Sequence, residues 1–454
     1  MSIKVSIILP SYNVTNYIEQ CVKSVLDQTL QEIEILCVDA GSTDGTLEKL
    51  EKLADDNPKI RLIHSEKKSY GYQMNLGIRE AKGEYIGIVE TDDFVDPDMF
   101  EILYRRASKD NADMAKGVLY EVYATEDGGE NEILSDYIPV RYMTDITFSP
   151  DEQPDVHDWD GNIWNGIYRK EFLTNHEIWF QETPGASYQD IAFQQMVLNE
   201  ANRVTFLHAH FYHYRKVRPG ASTWNPKCVR YIYDAYRGLL ADPRIKDSHR
   251  KYIYMRMSTA FLYEFRKALC MCGYRIENLE CPEAVDWYRA EIGNGIREGV
   301  FRFGDLSEVN QRDVTLFFTD TECYVKTWKE KAEALYEWLA RLKEAVGGRS
   351  LFVFGVGQYG QLLIRFLMRN GVWVDGLVDN QKGKHNTRYF GLNVFSAADA
   401  VRQGDCFYLI ANKKAGLQIR AQLQKLGVSE ESTMIFDGTD QTLFDGMGMY
   451  PILP

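Results

Sequence analysis

Within the first hundred residues the hydrophobic pattern switches repeatedly between two periods, and this constrains the fold more than any other feature of the sequence. Lys4–Leu9 (KVSIIL) and Ile33–Val38 (IEILCV) are apolar-rich runs suited to buried strands. Between them Asn16–Leu26 has helical spacing, with Ile18, Val22, Val25 and Leu26 on one face. Thr46–Asp55 is the next helix, with Thr43 or Asp44 near its start, and Ile60–His64 and Tyr85–Val89 are further strands. Strands separated by helices pair in parallel through crossovers, so the fold class is α/β. Ligands of such sheets bind beyond the C-terminal ends of the strands.

Three polar clusters fall at those ends. Pro10-Ser11-Tyr12-Asn13 follows the first strand, Asp39-Ala40-Gly41-Ser42-Thr43-Asp44-Gly45-Thr46 the second, and Glu90-Thr91-Asp92-Asp93 the strand Tyr85–Val89. Taken singly, the second cluster is a turn with a helix cap and the third a solvated acidic turn. Together they make an acidic sheet edge. Carboxylates there suit an oxygen-liganded Mg²⁺ or Mn²⁺ that shares a substrate diphosphate. Asp39 can accept hydrogen bonds from a base, and Gly41 permits close backbone approach. These parts describe a nucleotide-diphosphate site without naming its reaction.

Charge and composition narrow the class. Lys and Arg number 52 against 66 Asp and Glu, a net charge of −14, which argues against a nucleic-acid binder. The 454 residues, 45% hydrophobic, suit about three globular domains. No run of about 18 apolar residues predicts a transmembrane span, and Val5–Leu9, stopped by Pro10, is too short for a signal peptide. The eight cysteines are scattered without a CxxC pair and read as reduced thiols, so a cytoplasmic location is expected. The aromatic, basic stretch Arg250–Leu269 reads either as a core helix or as a peripheral contact with the inner face of a membrane.

Residues 4 to about 105 resemble the family 2 glycosyltransferases of GT-A fold. The matching text is VSIILPSYNVTNYIEQCVKSVLDQT, EILCVDAGSTDGT and NLGIREAKGEYIGIVETDDFVDPDMF. A weaker likeness continues through Ile163–Phe172, Ser187–Phe193 and Phe211–Arg215. The resemblance implies a GT-A nucleotide-diphospho-sugar transferase fold and inverting transfer of a sugar from a nucleotide-sugar donor, with UDP the expected nucleotide. The acceptor would be a hydroxyl of a glycan or lipid-linked substrate, in glycan or polysaccharide biosynthesis. It implies Mn²⁺ or Mg²⁺ as cofactor. It puts Pro10, Tyr12 and Asp39 around the base of the donor, and Asp92 at the DXD-type position with Asp93 and Glu90 as metal neighbours. Asp190 would be the catalytic base; a helix cap before IAFQQMVL is the plainer explanation of that residue. Three positions depart from the family pattern: Glu90 where Asp is common, Met74 where Arg is common, and Ala40 where a second Asp is usual.

The remaining chain divides into a transferase domain over 1–225, a helical region over 226–347, a Rossmann-like α/β domain over 348–445 and a tail over 446–454. Thr125–Asp136 and Ser149–Asp160 read as surface insertions. His208, His210 and His213 lie on a strand-like run and read as packing residues rather than a metal set. Arg215, Lys216 and Arg218 form a basic segment able to face a diphosphate or solvent. Trp159 and Trp164 flank a short polar turn and read as core or as an acceptor platform. In the last domain, Gly355-Val356-Gly357-Gln358-Tyr359-Gly360 joins the strand Leu351–Phe354 to a helix, and Asp379 ends the strand Val372–Val378. That spacing suits a nucleotide or NAD-type ligand at Gly355, Gly357, Gly360 and Asp379, or a Rossmann-like scaffold that binds none. Gly347-Gly348 predicts that this domain can be separated. Two other functions stay open. An NAD-linked nucleotide-sugar-modifying enzyme would need a Tyr-x-x-x-Lys pair after the glycine turn, whereas Tyr263 and Lys267 precede it. A non-catalytic nucleotide-sugar-binding module would explain Glu90 and Met74 but not the carboxylates of Asp92, Asp93 and Asp190. Association of like chains is compatible with all of these readings.

Overall fold

The computed structural model describes residues 2–124, 130–134, 145–158, 161–186, 188–216, 225–412 and 414–436. Trp159, Asp160, Ser187, Arg218 and the proposed tail lie outside the described residues. The first sheet is built from β1 (Val5–Ser11), β2 (Ile33–Asp39), β3 (Ile60–His64), β4 (Tyr85–Ile88) and β5 (Phe94–Val95), then β6 (Met114–Ala124), β7 (Glu130–Leu134), β8 (Ile146–Phe148), β9 (Gly166–Arg169) and β10 (Val204–Arg215). Its order is β3-β2-β1-β4-β9-β6-β10-β5, with β7 on β6 and β8 on β10. β1 to β4 pair in parallel, as the alternating pattern predicts. β1 is buried along its whole length and sits between β2 and β4. Its register sets Ser11 beside Asp39 and Ile8 beside Ile88. The three polar clusters therefore leave adjacent strands.

The crossover helices are α1 (Ile18–Leu26), α2 (Thr46–Asp56) and α3 (Tyr70–Glu80), followed by α4 (Met99–Asp110), α5 (Lys170–Asn175) and α6 (Gln189–Glu200). Sequence periodicity does not find α3, because Gly71 and Gly77 lower its helix propensity. Packing explains them. A Cβ at Gly71 would stand 2.0 Å from the Gln181 carbonyl oxygen, and one at Gly77 would stand 2.7 Å from Ile8. The helix trades propensity for close approach to the sheet.

The expected helical region follows: α7 (Cys228–Leu240), α8 (Asp247–Met271), α9 (Glu283–Arg297), α10 (Glu308–Thr319) and α11 (Thr321–Val346). α8 covers the stretch with the two readings, and its Phe261 and Phe265 are buried, stacked on Tyr288 and edge-on to Phe317. That is a core role. Among the described residues no helix is long and apolar enough to cross a membrane. All eight cysteines are free thiols.

A second sheet comprises β11 (Ser350–Phe354), β12 (Gly376–Val378), β13 (Arg388–Tyr389), β14 (Leu392–Phe395), β15 (Cys406–Ile410) and β16 (Thr433–Ile435). Its helices are α12 (Gln358–Arg369), α13 (Ala397–Val401) and α14 (Gly416–Lys425). The order is β13-β14-β12-β11-β15-β16, parallel except at β13, and it reverses direction between β11 and β15. β12 is shorter than the predicted Val372–Val378, because Gly371 turns the chain at φ +63°.

Gly347 and Gly348 end α11 in left-handed conformations, as a break between domains would. The junction is nonetheless apolar. Trp338 of α11 packs against Phe366 of α12 and against Phe436, and one hydrophobic core runs from the first sheet through the helices to α12. A cut at the glycine pair would expose Trp338, so the glycines mark a turn over a shared core.

Trp338→Ala should destabilise the protein by about 3–5 kcal/mol, the usual range for a buried aromatic. Urea unfolding should show one transition moving to lower denaturant. An unchanged midpoint would mean that the seam contributes nothing to stability.

Candidate functional site

At the C-terminal edge of the first sheet lies a cavity of about 600 Å³. It gathers Pro10, Tyr12, Glu90, Asp92, Asp93 and Asp190 from segments up to 180 residues apart. Asp39 and Gly41 do not line it. Asp39 accepts the Gly41 and Ser42 amides, both at 2.9 Å, and the Ser42 hydroxyl. Its carboxylate shapes the loop that presents Ala40 to the cavity. Gly41, at φ +78°, makes that turn possible.

The acidic turn after β4 is held from several sides. Thr91 Oγ1 donates to the Pro10 carbonyl at 2.8 Å, tying it to β1. Tyr70 donates to Glu90 Oε1 at 2.6 Å, and burial, with the facing carboxylate, drives its phenol well above the usual range. Asp93 is buried. One of its oxygens accepts the Tyr212 hydroxyl and the other the Arg215 amide, both at 2.9 Å. Desolvation, then the neighbouring Asp92, raises its pKa. Asp93 thus serves as an anchor for the turn. Arg215 is also buried: its guanidinium meets Glu130, Gln20 and the Asp92 carbonyl. It braces the acidic turn while lining the cavity.

Among the described residues no group of three or more His, Cys, Asp or Glu side chains forms a cation cage. Asp92, with Glu90 beside it, fits a cation that takes one or two protein carboxylates and brings its other oxygens with a diphosphate. His213 is stacked between Phe94 and Tyr120, with Asp96 and Glu132 each 3.0 Å from its ring nitrogens. It is a packing histidine. Trp164 lines the cavity, but it is 6% exposed and stacks on Tyr212.

Positive charge enters from other positions. Met74, one of the departures from the family pattern, is wholly buried in the core. Lys68 lines the cavity and donates to the Tyr12 hydroxyl at 3.0 Å, and Lys216 lies opposite, 3.2 Å from Glu121.

Asp190 stands in the first turn of α6 rather than at its cap position, which is Tyr188. Its Oδ1 accepts the Ile191 amide at 3.0 Å. The segment before it is stitched to the cavity rim through Tyr70 N to Gly185 O and Gly185 N to Lys68 O. Tyr188 has φ +59°, a left-handed conformation unusual outside glycine and asparagine. Sequence reasoning passed over Tyr188 and Tyr212. Each lies inside a segment of weaker family likeness, Ser187–Phe193 and Phe211–Arg215, in which the residue type alone assigns no role. Burial raises the Asp190 carboxyl to about 6.

In the C-terminal unit, Gly355 has φ +113°, and a Cβ on Gly360 would stand 1.8 Å from the Gly355 carbonyl oxygen. The glycines therefore let α12 pack closely on the turn. Asp379 accepts the Val356 amide and the Lys384 ammonium through Oδ2, and the Gln381 amide through Oδ1. Its oxygens are engaged within the turn. Tyr263 and Lys267 lie on α8, remote in sequence from this turn, where Lys267 pairs with Glu264 at 2.7 Å.

Residues 6–173 match the model of Glycosyl transferase family 2. The glycosyltransferase GlyG of Streptococcus pneumoniae is 32% identical over 227 residues, covering 48% of this chain and 72% of that protein. The uncharacterized glycosyltransferase EpsJ of Bacillus subtilis is 29% identical over 248 residues, 52% of this chain and 69% of its own. Among solved structures, that of S. aureus TarS 1-349 in complex with UDP-GlcNAc superposes with a TM-score of 0.51 at 18% identity. It covers 73% of this chain and 92% of TarS 1-349, which is a likeness of fold.

The raised Asp190 carboxyl has a consequence for stability. The folded state holds its proton up to about pH 6, whereas the unfolded chain releases it near 3.8. Stability is therefore lost as pH rises from about 4 to 6, and Asp190→Asn should recover it. The gain should be roughly 2 kcal/mol at pH 7.5, after screening by cavity water, and close to zero at pH 4. Chemical denaturation of both proteins at the two pH values measures it, and an equal difference at both would remove the assigned burial cost.

Proposed function

The chain belongs to glycosyl transferase family 2, and on that premise we propose that it moves a sugar from a UDP-sugar to an acceptor hydroxyl with inversion at the anomeric carbon. The observation that carries this reading is one cavity lined by Asp92 and Glu90 together with the Asp190 carboxyl. An in-line displacement needs charge stabilisation on the leaving side and a proton acceptor on the attacking side.

In this reading Tyr12 supplies a flat surface for the base, with Pro10 and Ala40 beside it. Asp39 acts by holding that loop. Lys68 and Lys216 offset negative charge on the diphosphate. Asp92, with Glu90 at its side, would hold Mn²⁺ or Mg²⁺, which when bound would stabilise charge on the departing diphosphate. Asp93 keeps the acidic turn in place. Asp190 removes the acceptor proton as that oxygen bonds to the anomeric carbon and the glycosidic C–O bond to the diphosphate breaks. With a carboxyl near 6, Asp190 is ionised at neutral pH yet basic enough to take the proton. We read the C-terminal unit as a scaffold, because Asp379 is engaged by the Val356 amide of the glycine turn and by Gln381 and Lys384 of the turn that follows it.

Two experiments test the assignment. UDP and Mn²⁺ together should raise the melting temperature by more than the sum of each alone, and Asp92→Asn should remove the excess. A variant that binds both like the wild type would overturn the metal assignment. UDP-GlcNAc, the nucleotide sugar bound in the TarS structure, is the first donor to use. Asp190→Asn should bind it normally and lose about 10²–10⁴-fold in transfer. Full activity would remove Asp190 from the mechanism.

A further inference from the structure

A second cavity, of about 310 Å³, lies behind Asp190. Tyr188 and Asp190 line both cavities, so the two meet at the carboxyl assigned as the base. The walls of the second come largely from the helical region: Ile232 of α7, the α8 segment from Arg256 to Arg266, and Asn310, Asp313 and Val314 of α10. These lie beyond the residues matched by the family model.

We propose that this cavity is the acceptor subsite and that it takes the terminal unit of a neutral glycan. The proposal rests on the reading of Asp190 as the base. An inverting displacement brings the nucleophile from the side opposite the leaving diphosphate. The acceptor hydroxyl must touch Asp190 and the anomeric carbon together, and the second cavity opens on Asp190, so the remainder of the acceptor can lie in it.

The lining selects the chemistry. Its charges come in matched pairs: Arg266 meets Asp313 at 2.8 Å, and Glu264 meets Lys267 at 2.7 Å. Arg256 faces Asp190 and Asp158 electrostatically. A phosphate or carboxylate entering here would find no surplus of positive charge and would face the acids of each pair. A sugar hydroxyl donates to a carboxylate and accepts from a guanidinium, so Arg266 with Asp313 can serve one and the Glu264 carboxylate can accept from another. Tyr263, 36% exposed, lines the cavity with Lys267 Nζ 5.3 Å from its ring centroid, and the ring surface that remains can meet the apolar side of a pyranose. Tyr188 stands at the doorway in its left-handed conformation, its hydroxyl 3.1 Å from Lys267 Nζ. Strain of this kind persists where surrounding contacts over-determine a residue, and such residues cluster at functional sites.

The test uses the full chain with UDP-GlcNAc and Mn²⁺, reading UDP release and product formation. The acceptor probes are the p-nitrophenyl glycosides of glucose, galactose and N-acetylglucosamine, their 6-phosphates, and the corresponding glucuronide. The neutral glycosides should accelerate UDP release at least about tenfold over the charged ones. Tyr263→Ala should raise the KM for the best neutral glycoside about tenfold, while UDP affinity by titration stays within twofold. Tyr263→Phe should keep the wild-type KM, which separates lost stacking from a folding defect. Preference for a charged glycoside, failure of every neutral one to bind or react, or an unchanged KM in Tyr263→Ala overturns the proposal. Should Asp190→Asn remain fully active, it is the base assignment that fails. Loss of transfer in Asp190→Asn with no response to Tyr263→Ala leaves the base in place and sinks the acceptor cavity alone.

Discussion

Asp93 is the fixed point about which the site is organised. It is a carboxylate with no exposure to solvent, in a position where an unpaired charge would be prohibitive. Two groups from β10 meet it: the Tyr212 hydroxyl and the Arg215 amide. The same Tyr212 hydroxyl accepts the Glu90 amide. One phenol thus grips both ends of the acidic turn, and Arg215 closes over it by reaching the Asp92 carbonyl. The position of Asp92 is inherited from these contacts. Removing the carboxylate would take two contacts with β10 from the turn, as well as an acid from the cavity.

From that anchor the rest follows by adjacency. β1 lies between β2 and β4, so three strand ends deliver three loops to one edge. α3, pressed on the sheet through its glycines, starts at Ser69 and Tyr70, and Tyr70 closes on Glu90. The segment leading to Asp190 is held to the same rim by the Ser69–Gly185 bridge. The acidic turn and the segment before Asp190 are therefore linked through the start of α3.

The sequence displayed the parts that repeat along the chain. β1 to β4 and their crossovers followed from apolar periodicity, and Glu90, Asp92 and Asp93 from their place after a strand. What it could not display was how individual oxygens are used. Asp39, Asp93 and Asp379 are all acids at strand ends. In the fold each is consumed by neighbouring donors, and that depends on partners such as Tyr212 that lie 119 residues away. α3 was hidden because its glycines answer to packing partners in other segments. The apolar seam at Trp338 was hidden likewise, since a glycine pair looks the same over a bare linker and over a shared core. The second cavity is assembled from α6, α7, α8 and α10 with the loop at Gly161 and Asn162, and has no local signature.

The pairing of β6 with β10 bears on how the chain is made. Met114 lies beside Val204, and the strands run parallel, so β6 cannot gain this neighbour until β10 has been synthesised. Between the ends of the two strands the ribosome adds 91 residues, which takes roughly 5–20 s. During that interval β6, whose Met114, Ala115, Leu119 and Val122 are all buried in the finished protein, presents an open apolar edge. β9 can cover the other side earlier, because it precedes β10 in the chain. Newly made chains are thus most prone to mispairing in the stretch between β9 and β10, before the strand that clasps Asp93 has emerged.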